Sequence, residues 1–210
     1  MYVRHDGKNL QMESVNIDGM TGFERALKRV GDVLGAILLL IVLSPVLLFI
    51  YLYQKISVKG PAIYSQERIG KGGRPFKIYK FRTMVVDAEK EGIPMLEQED
   101  DPRLTDFGKS LRKFHLDELP QIWNVLKGDM SFVGYRPERK YFIDQIMKHN
   151  PDYQLLYQTA PGITSMAAIK NGYTDTMEKM LVRLDMDLDY LKNRSLLLDL
   201  KIIFQTLFNI

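Results

Sequence analysis

Residues 33–54 read VLGAILLLIVLSPVLLFIYLYQ, a run without a single charged side chain. At a helical rise of about 1.5 Å per residue, the run is long enough to cross a lipid bilayer. It begins too far from the amino terminus, and is too long, to be the apolar part of a cleaved signal peptide. A buried core helix is the alternative, but the uncharged length favours contact with a membrane.

A break in the middle of this run divides it into two arms. Ser44 and Pro45 stand there, and we expect a kink because proline removes a backbone donor and clashes with the preceding turn. Each arm alone is too short to span a bilayer. Basic residues flank both ends of the run, so the positive-inside rule gives only a weak orientation. Two alternatives stay open on the residues alone: a hairpin within one leaflet, and a kinked spanning helix.

The composition excludes several kinds of site. The 210 residues contain no cysteine, which excludes disulfides, thiolate nucleophiles and cysteine-ligated metal centres. The three histidines, His5, His115 and His149, lack the spacing of metal ligands, so carboxylates would hold any metal, and carboxylates favour magnesium. The net charge of +3 is too small to indicate a nucleic-acid partner.

The rest of the chain predicts a small α/β fold with a small sheet and surrounding amphipathic helices. Thr21 and Glu24 have capping-box spacing at the start of an amphipathic helix that leads into the apolar run. Alternation over residues 75–84 predicts a strand with Lys80 and Arg82 on one face. Further elements are expected as helices around residues 107–114, 118–127, 138–148, 174–191 and 195–208, a short strand near 130–133, and an exposed acidic loop over 87–101.

Two adjacent carboxylates, Asp117 and Glu118, are the first candidates for chemistry. The pattern places Asp117 at a helix N-cap, with Glu118 in the first turn and Gly128 just past the end. Acids at a helix amino terminus stabilise it by about 0.3–1 kcal/mol each, so position alone favours a structural role. With Arg112 and other basic residues nearby, one carboxylate could instead attack phosphorus while the other holds magnesium on phosphate oxygens.

Other charged residues have both functional and structural interpretations. Arg136, at the start of a predicted helix, could grip a diphosphate. Residues 55–82 contain eight basic side chains against one acid, which suits anionic headgroups, a phosphorylated substrate or a solvated surface. Asp187 lies between Asp185 and Asp189, where like charges do not help a helix, so recruitment to a site and solvent exposure both stay open.

Nine short stretches form one ordered pattern. They are residues 28–32 (KRVGD), 44–45 (SP), 76–84 (FKIYKFRTM), 101–105 (DPRLT), 116–121 (LDELPQ), 124–134 (NVLKGDMSFVG), 136–137 (RP), 161–164 (PGIT) and 198–202 (LDLKI). In this order they resemble the bacterial sugar transferase family of monotopic phosphoglycosyl transferases, whose members start glycan assembly on a polyprenol phosphate.

The resemblance implies a monotopic membrane protein in which the break at Ser44 and Pro45 makes a re-entrant helix-break-helix hairpin within one leaflet. Residues 1–20 are then a polar segment, and residues 21–57 form an amphipathic lead-in followed by the re-entrant helix. Residues 58–210 are the catalytic domain, on the cytoplasmic face of the bacterial inner membrane. A homodimer stays open, and the sugar is not predicted.

The resemblance also implies a two-step reaction. Asp117 matches the family nucleophile and would attack the sugar-linked phosphate of a UDP-sugar; UMP would leave, and polyprenol (undecaprenyl) phosphate would then accept the phosphosugar. Glu118 matches the family's magnesium ligand. Basic residues and one later acid match positions that the family uses for its substrate, and Arg82 shares the strand face of Lys80. The predicted substrate-binding set is Lys80, Arg82, Arg112, Arg136 and Asp187.

Two departures from the family pattern are Tyr135, where proline is usual, and residues 165–168, where many members have Gly-Trp-Ala-Gln. Two rival functions also stay open. One is a non-catalytic membrane-anchored scaffold that binds anionic lipid or a glycan-assembly partner. The other is a kinked, spanning transferase that works without a covalent intermediate.

Overall fold

The computed structural model describes residues 15–57, 60–86, 88, 95, 101–172 and 174–208. The helices are α1 (Gly22–Val42), α2 (Ser44–Ser57), α3 (Asp106–Lys113), α4 (Gln121–Lys127), α5 (Lys140–His149), α6 (Met166–Asn171), α7 (Met177–Asn193) and α8 (Leu196–Phe208). The strands are β1 (Ile63–Ile69), β2 (Pro75–Phe81), β3 (Ser131–Val133) and β4 (Gly162–Thr164), and 3₁₀ turns span Lys71–Gly73, Leu116–Glu118 and Pro151–Gln158. The acidic loop predicted over residues 87–101 lies mostly outside the described residues, as do residues 1–14.

Helices α1 and α2 form a bent pair. The predicted capping box is confirmed, since Glu24 N donates to Thr21 Oγ1 at 3.2 Å and Thr21 N donates to Glu24 Oε2 at 2.9 Å. The kink is also confirmed, with an angle of 61° between the helices. At the kink, Ser44 Oγ donates to the carbonyl of Ile41 at 2.7 Å. Within the described chain, only the two helices taken together have the length and apolar composition needed to cross a membrane.

The bent pair exposes many large apolar side chains, and two of its four buried residues are polar. Asp32 and Gln54 are buried, at 7% and 0% exposure. The exposed apolar side chains are Phe23, Leu27, Val30, Leu34, Ile37, Leu38, Ile41 and Val42 on α1, and Val46, Leu48, Phe49, Leu52 and Ile56 on α2. A contiguous apolar surface of this kind marks contact with a membrane or with another protein.

Two separate two-stranded sheets take the place of the single small sheet that was expected. Strands β1 and β2 pair antiparallel, with Tyr64 opposite Lys80, and the shorter β3 and β4 pair parallel, with Ser131 opposite Gly162. Strand β2 ends at Phe81, three residues earlier than predicted, whereas β3 agrees with its prediction. The sequence analysis predicted neither β1 nor β4.

Helix α4 lies between the bent pair and the hairpin of β1 and β2. Asn124, fully buried, accepts from Tyr79 N at 3.1 Å and donates to the carbonyl of Lys77 at 2.7 Å, so its amide satisfies the open edge of β2. Ala36, Ile78 and Val125 are members of one buried cluster that joins α1, β2 and α4. The turn that precedes α4 is therefore held against β2.

Charged residues of α1 attach the bent pair to the rest of the protein. Arg29 donates to the last-turn carbonyls of α4, Val125 at 2.6 Å and Leu126 at 2.9 Å. Asp32 Oδ1 accepts from the backbone N–H of Phe132 in β3 at 3.3 Å. Lys28 pairs with buried Asp199 of α8. These three side chains brace α1 against three different elements.

Candidate active site

The carboxylate doublet lies in a tight turn rather than at a helix end. Asp117 and Glu118 belong to the 3₁₀ turn Leu116–Glu118, while α4 begins at Gln121 with Pro120 as its N-cap. The prediction that Asp117 caps this helix is therefore wrong. The turn starts from His115, whose φ of 52° and ψ of 20° are left-handed. Non-glycine residues keep such a conformation only where the surrounding structure enforces it, which is common at functional sites.

The doublet is enclosed, and Glu118 is surrounded by cations. Asp117 is 5% exposed. Glu118 Oε1 lies 2.8 Å from Lys80 Nζ, supplied by β2, and 3.6 Å from Arg136 Nη2, supplied by the segment after β3. The structure thus brings together three of the predicted site residues from three different parts of the chain.

The electrostatics of this cluster keep Glu118 ionised. Burial on its own would raise the pKa of Glu118, but the attraction of Lys80 and Arg136 and the hydrogen bond from Lys80 lower it to about 2. A carboxylate with this pKa is fully charged near neutral pH. The site therefore presents a fixed negative charge beside two cations, which is an arrangement suited to a cation and a phosphate bound side by side.

Arg112 and Arg82 have different surroundings. Arg112 lies in the last turn of α3, before the doublet, and its Nε donates to Thr83 Oγ1 at 3.1 Å. Arg82 lies beyond the end of β2, so the alternation that placed it with Lys80 no longer applies. Its Nε donates to the carbonyl of Pro61 at 2.8 Å, and its guanidinium lies 5.6 Å from the ring centre of Tyr64. These side-chain contacts of Arg82 are thus with β1 and the residues just before it.

Asp187 lies beneath Arg136 rather than on an exposed face of α7. It is 3% exposed, and its carboxylate accepts a hydrogen bond from the backbone N–H of Arg136. Burial raises the pKa of Asp187 to about 7, although nearby Arg183 and Arg136 favour its ionised form. In this position Asp187 supports the backbone that carries Arg136.

A buried ion-pair cluster fixes the same segment from its other end. Glu138 Oε1 lies 2.7 Å from Arg183 Nη2, and Glu138 Oε2 lies 3.1 Å from Arg68 Nη1. Because Glu138 and Arg183 are both nearly inaccessible, loss of Glu138 would leave the buried charge of Arg183 without this carboxylate partner. Sequence reasoning missed this cluster. Its one available signal was the acid directly after residues 136–137.

The two departures from the expected family pattern occupy structural positions. Tyr135 is 1% exposed and belongs to the core formed with α5 and α7, and burial raises the pKa of its hydroxyl. Ser165 is the N-cap of α6 and accepts from Ala168 N at 2.9 Å. Both residues are used by the fold around the site.

The acidic residues of the site fit a magnesium ion that takes its remaining ligands from a bound substrate. Among the described residues, no group of three or more acidic or histidine side chains could hold a metal ion. Magnesium commonly takes one or two carboxylates and completes its shell with substrate phosphates and water. The carboxylate of Glu118, the predicted ligand, is of the kind that meets that requirement.

Comparison with known proteins gives consistent matches. Residues 23–210 match the family model described as bacterial sugar transferase. The chain is 40% identical over 181 residues to the UDP-N-acetylgalactosamine-undecaprenyl-phosphate N-acetylgalactosaminephosphotransferase of Aeromonas hydrophila, covering 86% of this chain and 43% of that protein. It is 43% identical over 191 residues to the UDP-glucose:undecaprenyl-phosphate glucose-1-phosphate transferase of Escherichia coli (strain K12), covering 90% and 41%. The UDP-glucose:undecaprenyl-phosphate glucose-1-phosphate transferase of Caulobacter vibrioides is 42% identical over 181 residues, which cover 85% of this chain and 67% of that protein.

These relatives differ from the chain in length and from one another in the sugar of their names. The chain spans about two fifths of the length of the Aeromonas and Escherichia proteins. Their names specify N-acetylgalactosamine in one case and glucose in the other. The matched region is thus shared by proteins named for different sugars.

Proposed function

The chain belongs to the bacterial sugar transferase family, and on that premise we propose that it transfers a sugar 1-phosphate from a UDP-sugar to undecaprenyl phosphate. The observation that carries the proposal is the enclosed doublet, in which the charged Glu118 meets Lys80 and Arg136 beside the buried Asp117. Relatives that share this region are named for the same kind of reaction.

In the first step, a carboxylate oxygen of Asp117 attacks the phosphorus next to the sugar. A bond from that oxygen to phosphorus forms, the bond to the oxygen of the second phosphate breaks, and UMP leaves with the electron pair. In the second step, a phosphate oxygen of undecaprenyl phosphate attacks the same phosphorus and releases Asp117 as a carboxylate. Each step exchanges one phosphoryl bond for another, so positioning and charge neutralisation supply most of the catalysis.

The basic residues hold the donor for this attack. Lys80 and Arg136 neutralise the diphosphate from the side of Glu118, and Arg112 approaches from the end of α3. Glu118 is the residue that would hold a magnesium ion, which leaves Asp117 to attack phosphorus. When bound, that ion supplies positive charge to the diphosphate oxygens. A guanidinium also presents paired donors that match two phosphate oxygens.

We infer that α1 and α2 form a re-entrant hairpin in the cytoplasmic leaflet of the inner membrane. The 61° bend and the exposed apolar faces of both helices support this inference. Helix α8 adds further exposed apolar side chains, namely Leu197, Leu200, Phe204, Leu207 and Phe208. The lipid tail of undecaprenyl phosphate keeps its phosphate at headgroup level, so an enzyme fixed in one leaflet meets that phosphate already positioned.

A labelling experiment distinguishes the hairpin from a spanning helix. Single cysteines introduced at Asn9 and at Gly92, both outside the described residues, should be shielded from a membrane-impermeant thiol reagent in intact cells. A re-entrant hairpin returns both flanks to the cytoplasm, and the natural chain contains no cysteine to interfere. Both sites should react once the cells are permeabilised. Labelling of Asn9→Cys alone in intact cells would establish a spanning helix.

A donor panel tests the reaction itself. The purified protein is mixed with undecaprenyl phosphate and a series of UDP-sugars, and UMP release is measured with and without a chelator. We expect release with at least one donor and its loss when magnesium is removed, because Glu118 and the substrate share the ion. A scaffold would release no UMP with any donor. A phosphosugar adduct seen by intact-protein mass measurement, with no acceptor present, separates the covalent route from direct transfer.

A further inference from the structure

Thr83 connects the strand that carries Lys80 to the helix that carries Arg112. It follows the end of β2, and only 6% of its surface is exposed. Its hydroxyl oxygen accepts the Nε–H of Arg112 at 3.1 Å. Thr83 lies within the stretch 76–84 of the ordered pattern, but the predicted substrate-binding set did not include it.

The backbone of Thr83 is fixed from the side of α3. Its carbonyl accepts from Thr105 N at 2.9 Å and from Thr105 Oγ1 at 3.2 Å. Gly108 lies directly against the same carbonyl, and a β-carbon added at Gly108 would stand 2.0 Å from the oxygen. Only glycine permits so close an approach, so this contact fixes how α3 packs against the backbone of Thr83.

The backbone of Arg82, the residue before Thr83, is held by a hydrogen bond from α2. Gln54 of α2, fully buried, donates from Nε2 to the carbonyl of Arg82 at 2.7 Å. A bridge between Met84 and Leu104 continues the attachment on the far side of Thr83. The backbone is therefore held on both sides of Thr83, which restricts the position of the Thr83 hydroxyl.

An anchored acceptor at Nε restricts the guanidinium of Arg112. An arginine side chain has many rotamers, and its planar fork is effective only when the plane is held toward the anion. A hydrogen bond at Nε restricts the rotation of that plane, and the remaining N–H groups of the fork are donors that can match phosphate oxygens. The hydrogen bond from Arg112 Nε to Thr83 Oγ1 thus restricts the orientation of the guanidinium, and phosphate binding depends on that orientation.

We propose that Thr83 is a positioning residue whose anchored hydroxyl orients the Arg112 guanidinium toward the diphosphate of the donor. The proposal rests on the function proposed above, because Arg112 needs orientation only if a diphosphate is its ligand. Thr83 itself does not touch the substrate. It acts through Arg112.

The test compares two substitutions of nearly equal shape. Thr83→Val keeps the branched side chain and removes the acceptor, whereas Thr83→Ser keeps the hydroxyl. The net worth of a hydrogen bond to a charged group predicts a fall of about tenfold in kcat/KM for the UDP-sugar in Thr83→Val. Thr83→Ser should stay within about twofold of the natural protein. Thermal unfolding of both variants is measured alongside.

Repeating the substitution in an Arg112→Lys background distinguishes a role in positioning Arg112 from a general role in stabilising the fold. In Arg112→Lys no Nε–H exists, so adding Thr83→Val should cost no further activity, whereas a structural role would lower activity in both backgrounds. Natural kinetics in Thr83→Val, or an equal loss in both backgrounds, overturns the proposal. If Thr83→Val does not fold, Thr83→Ala is judged by the same two comparisons. Absence of turnover by the natural protein would remove the proposed function itself, which is a distinguishable result.

Discussion

Asp117→Asn is expected to abolish transfer, lowering UMP release by about 10³-fold or more. An amide of the same size keeps the packing of this buried position, but it is not a nucleophile toward phosphorus. The loss should appear in the first half-reaction, with a UDP-sugar and no lipid acceptor. No phosphosugar adduct should form on the variant.

The matched control is Asp106→Asn, the same change at an exposed acid in the first turn of α3. It should leave both UMP release and the adduct unchanged, and unfolding measurements should show that both variants fold. Turnover at the natural rate in Asp117→Asn would exclude the covalent mechanism. An adduct that persists in that variant would move the nucleophile to another residue.

Glu118→Gln is expected to lower kcat/KM by about 10²-fold and to raise the magnesium concentration needed for half-maximal rate. The carboxylate lies 2.8 Å from Lys80 and 3.6 Å from Arg136, and an amide cannot balance either charge. Glu178→Gln, on an exposed position of α7, is the matched control and should behave as the natural protein. An unchanged magnesium titration in Glu118→Gln would contradict the assignment of Glu118 as a ligand.

The same variant tests the charge state of Glu118. Its folded-state pKa of about 2 lies below the ordinary value of 4.5, so ionisation of Glu118 stabilises the folded protein above pH 4.5. That stabilisation is lost as the pH falls toward 2. The free energy of unfolding of Glu118→Gln should therefore be lower than that of the natural protein at pH 7, and the difference should shrink in acid. A difference independent of pH would mean that Glu118 is not held ionised by its neighbours.

Local signals predicted the parts of the fold that local interactions determine. Thr21 and Glu24 form the capping box that their spacing indicates, and Pro45 marks the bend between α1 and α2. Strand β1 was missed because its IYSQERI sequence carries charges and lacks a clean alternation, and its pairing with β2 is a tertiary contact. The parallel pairing of β3 with β4 also joins distant segments, too short to produce a pattern.

The site shows the same division between local and tertiary information. An acidic pair before a helical pattern is typical of a helix start, yet the chain forms a 3₁₀ turn at Asp117, entered through the left-handed His115. Alternation placed Arg82 beside Lys80, but the strand ends between them, at Phe81. The ordered motifs identified the candidate residues of the site. The contact of Glu118 with Arg136 depends on packing that no spacing encodes.

The charged residues of α1 have a practical consequence for handling the protein. Trimming away α1 and α2 to gain water solubility would remove the Arg29 donors from the end of α4 and the Asp32 acceptor from β3. It would also leave Asp199 enclosed without its lysine partner. A version shortened in this way would therefore lose the contacts that attach α4, β3 and α8 to α1, together with the exposed apolar faces of α1 and α2. With the proposed hairpin in one leaflet, detergent or nanodisc preparations of the whole chain are the form in which the proposed reaction should be measured.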